Sequence, residues 1–169
     1  RPLADIRKEI QDVINRADIL VGHNIKFDLH WLKSIGLTTK KVWDTMVVEY
    51  LLEGQHGALS FSLDECLRRR DLPQKIDVVK DYWKAKVNTA SIPLETLIEY
   101  CIRDVESTAD LYLQQVEDVE KSNIKRLVKM QNLFVECLQD IQSNGMLVDQ
   151  AFLQKAKVDY KERMDVLRV

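Results

Sequence analysis

The sequence has no excess of positive charge, no paired cysteines and no long apolar run, and each absence excludes a class of function. Its 169 residues carry 25 basic and 27 acidic side chains, a formal net charge of −2. Binding of nucleic acid through a global positive field is excluded, so any such contact is local or mediated by metal. The three cysteines, Cys66, Cys101 and Cys137, are odd in number and lack the close spacing of a zinc site. That pattern argues for a reducing compartment, with all three as buried small hydrophobic side chains. No apolar run reaches membrane-spanning length, and the first residues, Arg1 to Asp5, are not a signal peptide. The chain does not begin with Met, which suggests a fragment. Internal repeats and low-complexity segments are absent as well.

What is present is a soluble, globular composition, 46% hydrophobic and 31% charged, with room for one ordinary core. Ile6, Ile10, Val13, Ile14 and Ala17 recur at helical spacing. Ile19-Leu20-Val21, β-branched, short and closed by Gly22, predicts a buried strand. Asn24 offers an N-cap for a helix over residues 25–34, stopped by Gly36. Lys41-Val42-Trp43 predicts a second strand, and Asp44 caps the helix through Met46, Val47, Tyr50 and Leu51. After a loop through Gly57, Ser62-Leu63-Asp64-Glu65 has capping-box spacing, with Arg68-Arg69-Arg70 at the C-terminal end of its helix. Residues 74–87 read as helical. A long helix follows over 93–120, with Pro93 in its first turn, and another over 123–143 carries apolar residues from Ile124 to Ile141. Asn144-Gly145 ends that helix, and Asp149 caps the last one. The candidate boundary lies near residues 120–123.

Two segments carry candidate chemistry: Val21-Gly22-His23-Asn24-Ile25-Lys26-Phe27-Asp28 and Tyr100-Cys101-Ile102-Arg103-Asp104. Each sets one Asp at a regular element, where a side chain can be held rigidly beside a metal ion. Asp28 falls in the first turn of a helix just after a buried strand, the usual place for ligands in α/β architectures. Tyr100 and Asp104 are four apart on a helix, about 5–6 Å between Cβ atoms. A phenol beside a carboxylate can orient a water without being a strong base itself.

With Trp43-Asp44-Thr45-Met46 between them, the two segments resemble the second and third motifs of the DEDDy class of 3′→5′ exonucleases. They look in particular like the proofreading domain of family A, polymerase I-like, DNA polymerases. The resemblance runs from about Asp18 to Tyr112 and resumes at Gly145-Met146-Leu147-Val148-Asp149, which is similar to the entry to that family's polymerase region. It implies an α/β, RNase H-like exonuclease fold, N-terminally truncated and helix-rich, over residues 1–120, followed by thumb helices over 121–169. It implies Asp28 and Asp104 as ligands of Mg²⁺ or Mn²⁺, Tyr100 as the residue positioning the attacking water, and Asn24 and Phe27 near the 3′-terminal nucleotide. The implied partners are the 3′ end of single-stranded DNA and, in the parent protein, primer-template DNA. The cytoplasm of a bacterial or phage-infected cell would suit them, and no membrane partner is expected. Two divalent ions about 3.5–4 Å apart suit phosphodiester hydrolysis, because they favour both the nucleophile and the departing oxyanion.

The chain departs from the family at its first motif, Asp-x-Glu on the first strand. Its two such triplets, Asp104-Val105-Glu106 and Asp118-Val119-Glu120, fall on the long helix, where i and i+2 face different ways. An isolated fragment of this kind is expected to bind metal poorly and to be inactive. Two other readings stand beside the first: an exoribonuclease resembling RNase D, and a non-catalytic exonuclease-like domain that braces a polymerase or binds DNA.

Several residues have ordinary explanations. Asp28 complements a helix dipole, and Asp104 can be a surface charge. His23 reads as a structural or substrate-adjacent donor, whereas His30 and His56 carry no signal. Asp44 reads as a helix cap rather than a metal ligand. Lys26 can reach a phosphate, although solvation is the commoner fate of a first-turn lysine. The arginine run and the Lys121, Lys125, Arg126, Lys129 face read as solvated, and Trp31, Trp43 and Trp83 as core.

Overall fold

Short apolar runs alternating with amphipathic segments build the start of the chain as strand, helix, strand. The computed structural model describes residues 3–54, 59–74 and 78–167. Helix α1 (Leu3–Arg16) leads to strand β1 (Leu20–Gly22), helix α2 (Lys26–Ser34) and strand β2 (Val42–Asp44), which runs directly into helix α3 (Thr45–Leu52). The strands are parallel, with Leu20 opposite Val42, Val21 opposite Trp43 and Gly22 opposite Asp44. Helices α4 (Leu63–Arg69) and α5 (Val78–Lys84) come next, then a 3-10 turn at Thr89–Ser91 and the long helix α6 (Leu94–Lys121). Helices α7 (Lys125–Asn144) and α8 (Gln150–Leu167) close the order. The described residues are mostly helical, with one small parallel sheet. The expected loop at Gly57 and residues 75–77 of the helix expected over 74–87 lie outside the described residues, as does His56, while Gln74 and residues 85–87 are not helical, so that helix is shorter than expected.

The chain divides into two compact units, Arg1–Gln139 and Asp140–Val169. In the first, Ile25, Leu29, Val42 and Val135 form one buried cluster, Val48, Val119 and Val128 a second, and Cys66, Leu67 and Leu111 a third. Helix α6 is common to the last two: it buries Leu111, Gln115 and Val119, one every four residues, so a single stripe faces inward. In the second unit, Gly145 has φ +68°, ending α7 in the left-handed region that favours glycine. The Asp149 carboxylate accepts the Phe152 N–H at 2.9 Å, capping α8 as expected.

The core is more polar than the hydrophobic pattern predicts. Helix α7 buries Val128, Asn132, Val135 and Gln139, while Met130, Leu133 and Phe134 face out. Glu49 on α3 is fully buried, and a buried carboxylate survives only if it is paired and hydrogen-bonded. Arg70 donates its Nε to Glu49 at 2.8 Å and its Nη1 to Asp118 at 2.7 Å. Gln115 donates to both Glu49 and the Thr45 carbonyl at 2.9 Å, and accepts the Trp43 indole N–H at 3.1 Å. Arg69 stacks over Phe61, 5.3 Å from its centroid, and donates to the Ser60 carbonyl. Arg68 pairs with Glu65. The arginine run is therefore not a solvated face, because two of its three members clamp α4 onto the core.

Other expectations need correction. Cys66 is buried, its thiol pushed up to about 11 by burial first and by the Glu49 charge second. Cys101 and Cys137 are exposed, because they lie off the inward stripes of α6 and α7. Trp43 is partly buried against the Val48, Val119 and Val128 cluster, whereas Trp31 and Trp83 are exposed. Ser62 occupies the N-cap position of α4 but makes no side-chain cap, since Glu65 turns to Arg68 instead of closing the box.

Replacing Arg70 by Leu is expected to destabilise the chain by about 3–5 kcal/mol, since it strands the buried Glu49 charge. Adding Glu49→Gln should recover part of that loss. Urea unfolding of the single and double variants checks both.

Candidate functional site

The site begins where β1 ends. A Cβ on Gly22 would come within 2.8 Å of Ile25 Cγ1, so only glycine lets the chain fold back over the strand at this point. Asn24 then takes φ +57°, a left-handed conformation that asparagine tolerates. It is not the N-cap of α2, a position held by Ile25 without a side-chain cap. Its own N–H donates instead to Asp44 Oδ1 at 3.0 Å.

Asp44 consequently serves two turns. The same Oδ1 accepts Met46 N–H at 3.0 Å and Val47 N–H at 3.4 Å, which caps α3 as expected. The Asp44 N–H donates to Asn132 Oδ1 at 2.7 Å. Burial raises the Asp44 carboxyl pKa, and the backbone N–H groups of Val47, Asn24, Met46 and Ile25 pull it back only in part. Asp44 is a structural hub at the strand ends.

His23 is fixed in the same way. The Phe61 carbonyl can only accept, so His23 Nε2–H donates to it at 2.9 Å. Nδ1 stands 2.9 Å from the Thr45 hydroxyl, which also reaches the Gly22 carbonyl at 3.3 Å. The imidazole thus ties the β1–α2 turn to α3 and to the segment before α4.

This turn and α6 together wall a cavity of about 440 Å³. Val21, Gly22, His23 and Asp28 line it from one side, Asp104, Val105, Thr108 and Ala109 from α6, and Leu63 from α4. The structure therefore brings Asp28 and Asp104 to one cavity although they are far apart in sequence. Burial raises the Asp28 carboxyl pKa, and the backbone N–H at Asp28 itself opposes the shift. Two carboxylates and no Lys or Arg are among the described lining residues. Oxygen donors of this kind suit Mg²⁺ or Mn²⁺. Among the described residues no cluster of three or more His, Cys, Asp or Glu side chains forms a metal site.

The remaining predicted residues are placed differently. Tyr100 lines a neighbouring cleft of about 380 Å³ with Arg103 and Glu106, its ring 6.1 Å from Trp83 and nearly perpendicular to it. Asp104 and Glu106 face separate cavities, as the i, i+2 spacing predicts, and Asp118 is paired with Arg70. Phe27 is exposed, with its ring edge-on to Trp31, and Lys26 is half-buried in the first turn of α2. Sequence reasoning missed Thr108 and Leu63 as cavity residues. Thr108 was within reach, since it lies one helical turn beyond Asp104 and donates its hydroxyl to the Asp104 carbonyl at 2.7 Å.

Residues 5–120 match the model of a 3′-5′ exonuclease family. The chain is 25% identical over 174 residues to a DNA polymerase of Bacillus phage SP01, covering 98% of this chain and 19% of that protein. It is 26% identical over 153 residues to DNA polymerase I of Aquifex aeolicus (strain VF5), covering 87% and 25% respectively. A DNA polymerase of Escherichia phage T5 is 26% identical over 168 residues, with 88% and 20% covered. The chain thus spans a quarter or less of the length of these relatives. Among its described residues, no helix is long and apolar enough to cross a membrane.

The raised pKa of Asp28 predicts a pH dependence. In the folded chain its carboxyl holds the proton to higher pH than the unfolded value of 3.8. Its contribution to stability is therefore fully present below that value and is lost as pH rises through the raised one. Asp28→Asn is expected to be more stable than the natural chain at pH 7, with the difference shrinking toward pH 4. Thermal unfolding at the two pH values, without divalent cation, measures it.

Proposed function

Because this chain belongs to the 3′-5′ exonuclease domain family of family A DNA polymerases, we propose that Asp28 and Asp104 hold a divalent cation for hydrolysis of the 3′-terminal phosphodiester of single-stranded DNA. The observation that carries this reading is their convergence on one cavity with no lysine or arginine in its described lining. The fold is read as the helical flank and part of the sheet of an RNase H-like domain. Residues 121–169 are read as the entry to the polymerase region, on the Gly145 and Asp149 turn between α7 and α8.

When bound, Mg²⁺ or Mn²⁺ supplies charge stabilisation at the phosphate and a stronger oxygen nucleophile at neutral pH. The chain's own residues supply placement. Asp28 is held by the Gly22–Asn24 turn, and Asp104 by the packing of α6. In the reaction, water adds to phosphorus and the bond from phosphorus to the 3′ oxygen of the penultimate nucleotide breaks. The products are a nucleoside 5′-monophosphate and a new 3′ hydroxyl. His23 holds the turn through its bonds to Thr45 and Phe61, while Asn24, Phe27 and Lys26 border the strand's terminal nucleotide. Tyr100 is assigned to positioning the water by family resemblance. Its place beside Trp83, in the adjoining cleft, means that this role requires its side chain to turn toward Asp104.

One observation favours a second reading, a bracing or DNA-binding domain without catalysis: the cavity presents two carboxylates where two metals need more. The two readings separate by experiment. Mn²⁺ titration followed by electron paramagnetic resonance is expected to show weak binding by the natural chain. Asp28→Ala and Asp104→Ala are each expected to weaken it by more than the roughly 10- to 100-fold lost with a supporting partner. A longer polymerase chain that includes these residues is expected to shorten a 5′-labelled single strand with Mg²⁺, and to lose that activity with either substitution. Unchanged Mn²⁺ binding in both variants would overturn the cation assignment, activity that survives both would overturn the assignment of the site to Asp28 and Asp104, and a longer chain with no such activity would leave only the bracing role.

A further inference from the structure

Helix α7 turns two valines and two amides inward: Val128, Asn132, Val135 and Gln139. The valines account for themselves, since Val128 joins Val48 and Val119, and Val135 joins Ile25, Leu29 and Val42. A buried amide is different, because it costs free energy unless its polar atoms are answered. Asn132 donates its Nδ2 to the Val128 carbonyl at 3.0 Å, within its own helix, and accepts the Asp44 N–H on Oδ1 at 2.7 Å. The second bond crosses 88 positions of sequence. It ends on the residue whose carboxylate gathers the N–H groups of Asn24, Met46 and Val47. Helix α7 lies beyond residues 5–120, the span that matches the exonuclease family, so Asn132 reaches into that domain from outside it.

The direction of the Asp44 N–H shows what this bond replaces. The Leu20 N–H donates to the Lys41 carbonyl at 2.8 Å, which in a parallel pair turns Lys41 and Trp43 toward β1 and Val42 and Asp44 toward the opposite edge. Among the described residues no third strand occupies that edge. A buried backbone N–H has to find an acceptor, and here one side chain supplies it in place of a strand. The consequence reaches Asp28. Strand β2 is only three residues long, so little ladder holds its last residue. One Asp44 oxygen serves both the β1–α2 turn and the start of α3, at 3.0 Å from the N–H groups of Asn24 and Met46 alike. Displacing Asp44 by more than about 0.5 Å, the tolerance of a functional constellation, breaks one bond or the other, and the turn is what carries Asp28 to the cavity.

We infer that Asn132 is a positioning residue of the cavity: by holding the Asp44 backbone it fixes the Asn24 turn, and with it the place of Asp28 in the cavity wall. That Asp28 then serves a cation rests on the exonuclease reading, whereas the placement does not.

Hydrogen exchange of the isotope-labelled chain tests the placement, with the Asn24 N–H as the probe and the Leu111 N–H, in the core of α6, as the reference for global opening. Asn132→Leu puts a branched apolar group of the same outline where the acceptor stood. It is expected to speed Asn24 exchange relative to Leu111 by about tenfold, the factor that one buried hydrogen bond is worth. Asn132→Ala should act in the same direction and serves where leucine is not accommodated. Val128→Ala, one turn away on the same inward face, loosens α7 without removing the bond to Asp44 and should leave the ratio unchanged. In electron paramagnetic resonance, Asn132→Leu is also expected to weaken Mn²⁺ binding by roughly 10-fold or more, as loss of a supporting partner does, and Val128→Ala is not. An unchanged exchange ratio in the Asn132 variants, or an equal change with Val128→Ala, overturns the placement. So does Mn²⁺ affinity that falls with Asp28→Ala and not with Asn132→Leu. Mn²⁺ affinity indifferent to Asp28→Ala as well overturns the cation reading alone, and the exchange ratio still decides the role of Asn132.

Discussion

The structure depends on one buried charge. Glu49 sits in α3 with no access to water, and its carboxylate has to be answered from the neighbouring elements. Arg70 answers it from the end of α4 and Gln115 from the middle of α6. The same Arg70 reaches Asp118, one turn further along α6, so the register of α6 against α3 and α4 is fixed at two points. Hydrophobic contact alone does not fix register so closely, because a valine stripe can slide by a turn with little penalty. A carboxylate and a guanidinium cannot.

That register decides where Asp104 stands. It lies eleven residues before Gln115, three turns along a rigid helix, and is carried to the cavity by a bond made elsewhere. The opposite wall is set by a second, independent device. Gly22 allows the close turn, Asn24 takes the left-handed conformation, and Asp44 gathers the N–H groups of Asn24, Met46 and Val47 on one oxygen. Asp28 follows from the turn and Asp104 from the helix. Two separate devices thus bring the two carboxylates to one cavity.

Much of this was legible in the sequence. The β1–α2–β2 order, the Asp44 cap and the Asp149 cap follow from local chemistry that a one-dimensional pattern records well. What the pattern concealed was the polar core. Asn132, Gln115 and Glu49 are buried for the sake of partners on distant elements, and no local periodicity reports a partner. The apolar residues of α7 misled in the opposite direction, since Leu133 and Phe134 suggested an inward face that is in fact carried by Asn132 and Val135. Asn24 shows the same limit at smaller scale. A residue that can cap a helix can equally adopt a left-handed turn, and the choice was made by Asp44, twenty positions away. The pairing of Asp28 with Asp104 in one cavity was implied only by family resemblance, and the exposure of Trp31 ran against the expectation of a core residue.

The distribution of basic side chains completes the physical picture. Phosphate recognition by arginine would place guanidinium groups at the cavity, yet the chain's only run of three arginines turns away from it. Arg70 is spent on Glu49 and Asp118, Arg69 on Phe61 and the Ser60 carbonyl, and Arg68 on Glu65. Lys121 and Lys125 pair with acids at the junction of α6 and α7. The cavity is left to carboxylates, one of which resists ionisation because of burial. A site of this composition repels a phosphodiester unless a cation stands between them. On the proposed reading, the near-neutral charge of the whole chain, which at first argues against a nucleic-acid ligand, accompanies a site whose positive charge would come from a bound ion.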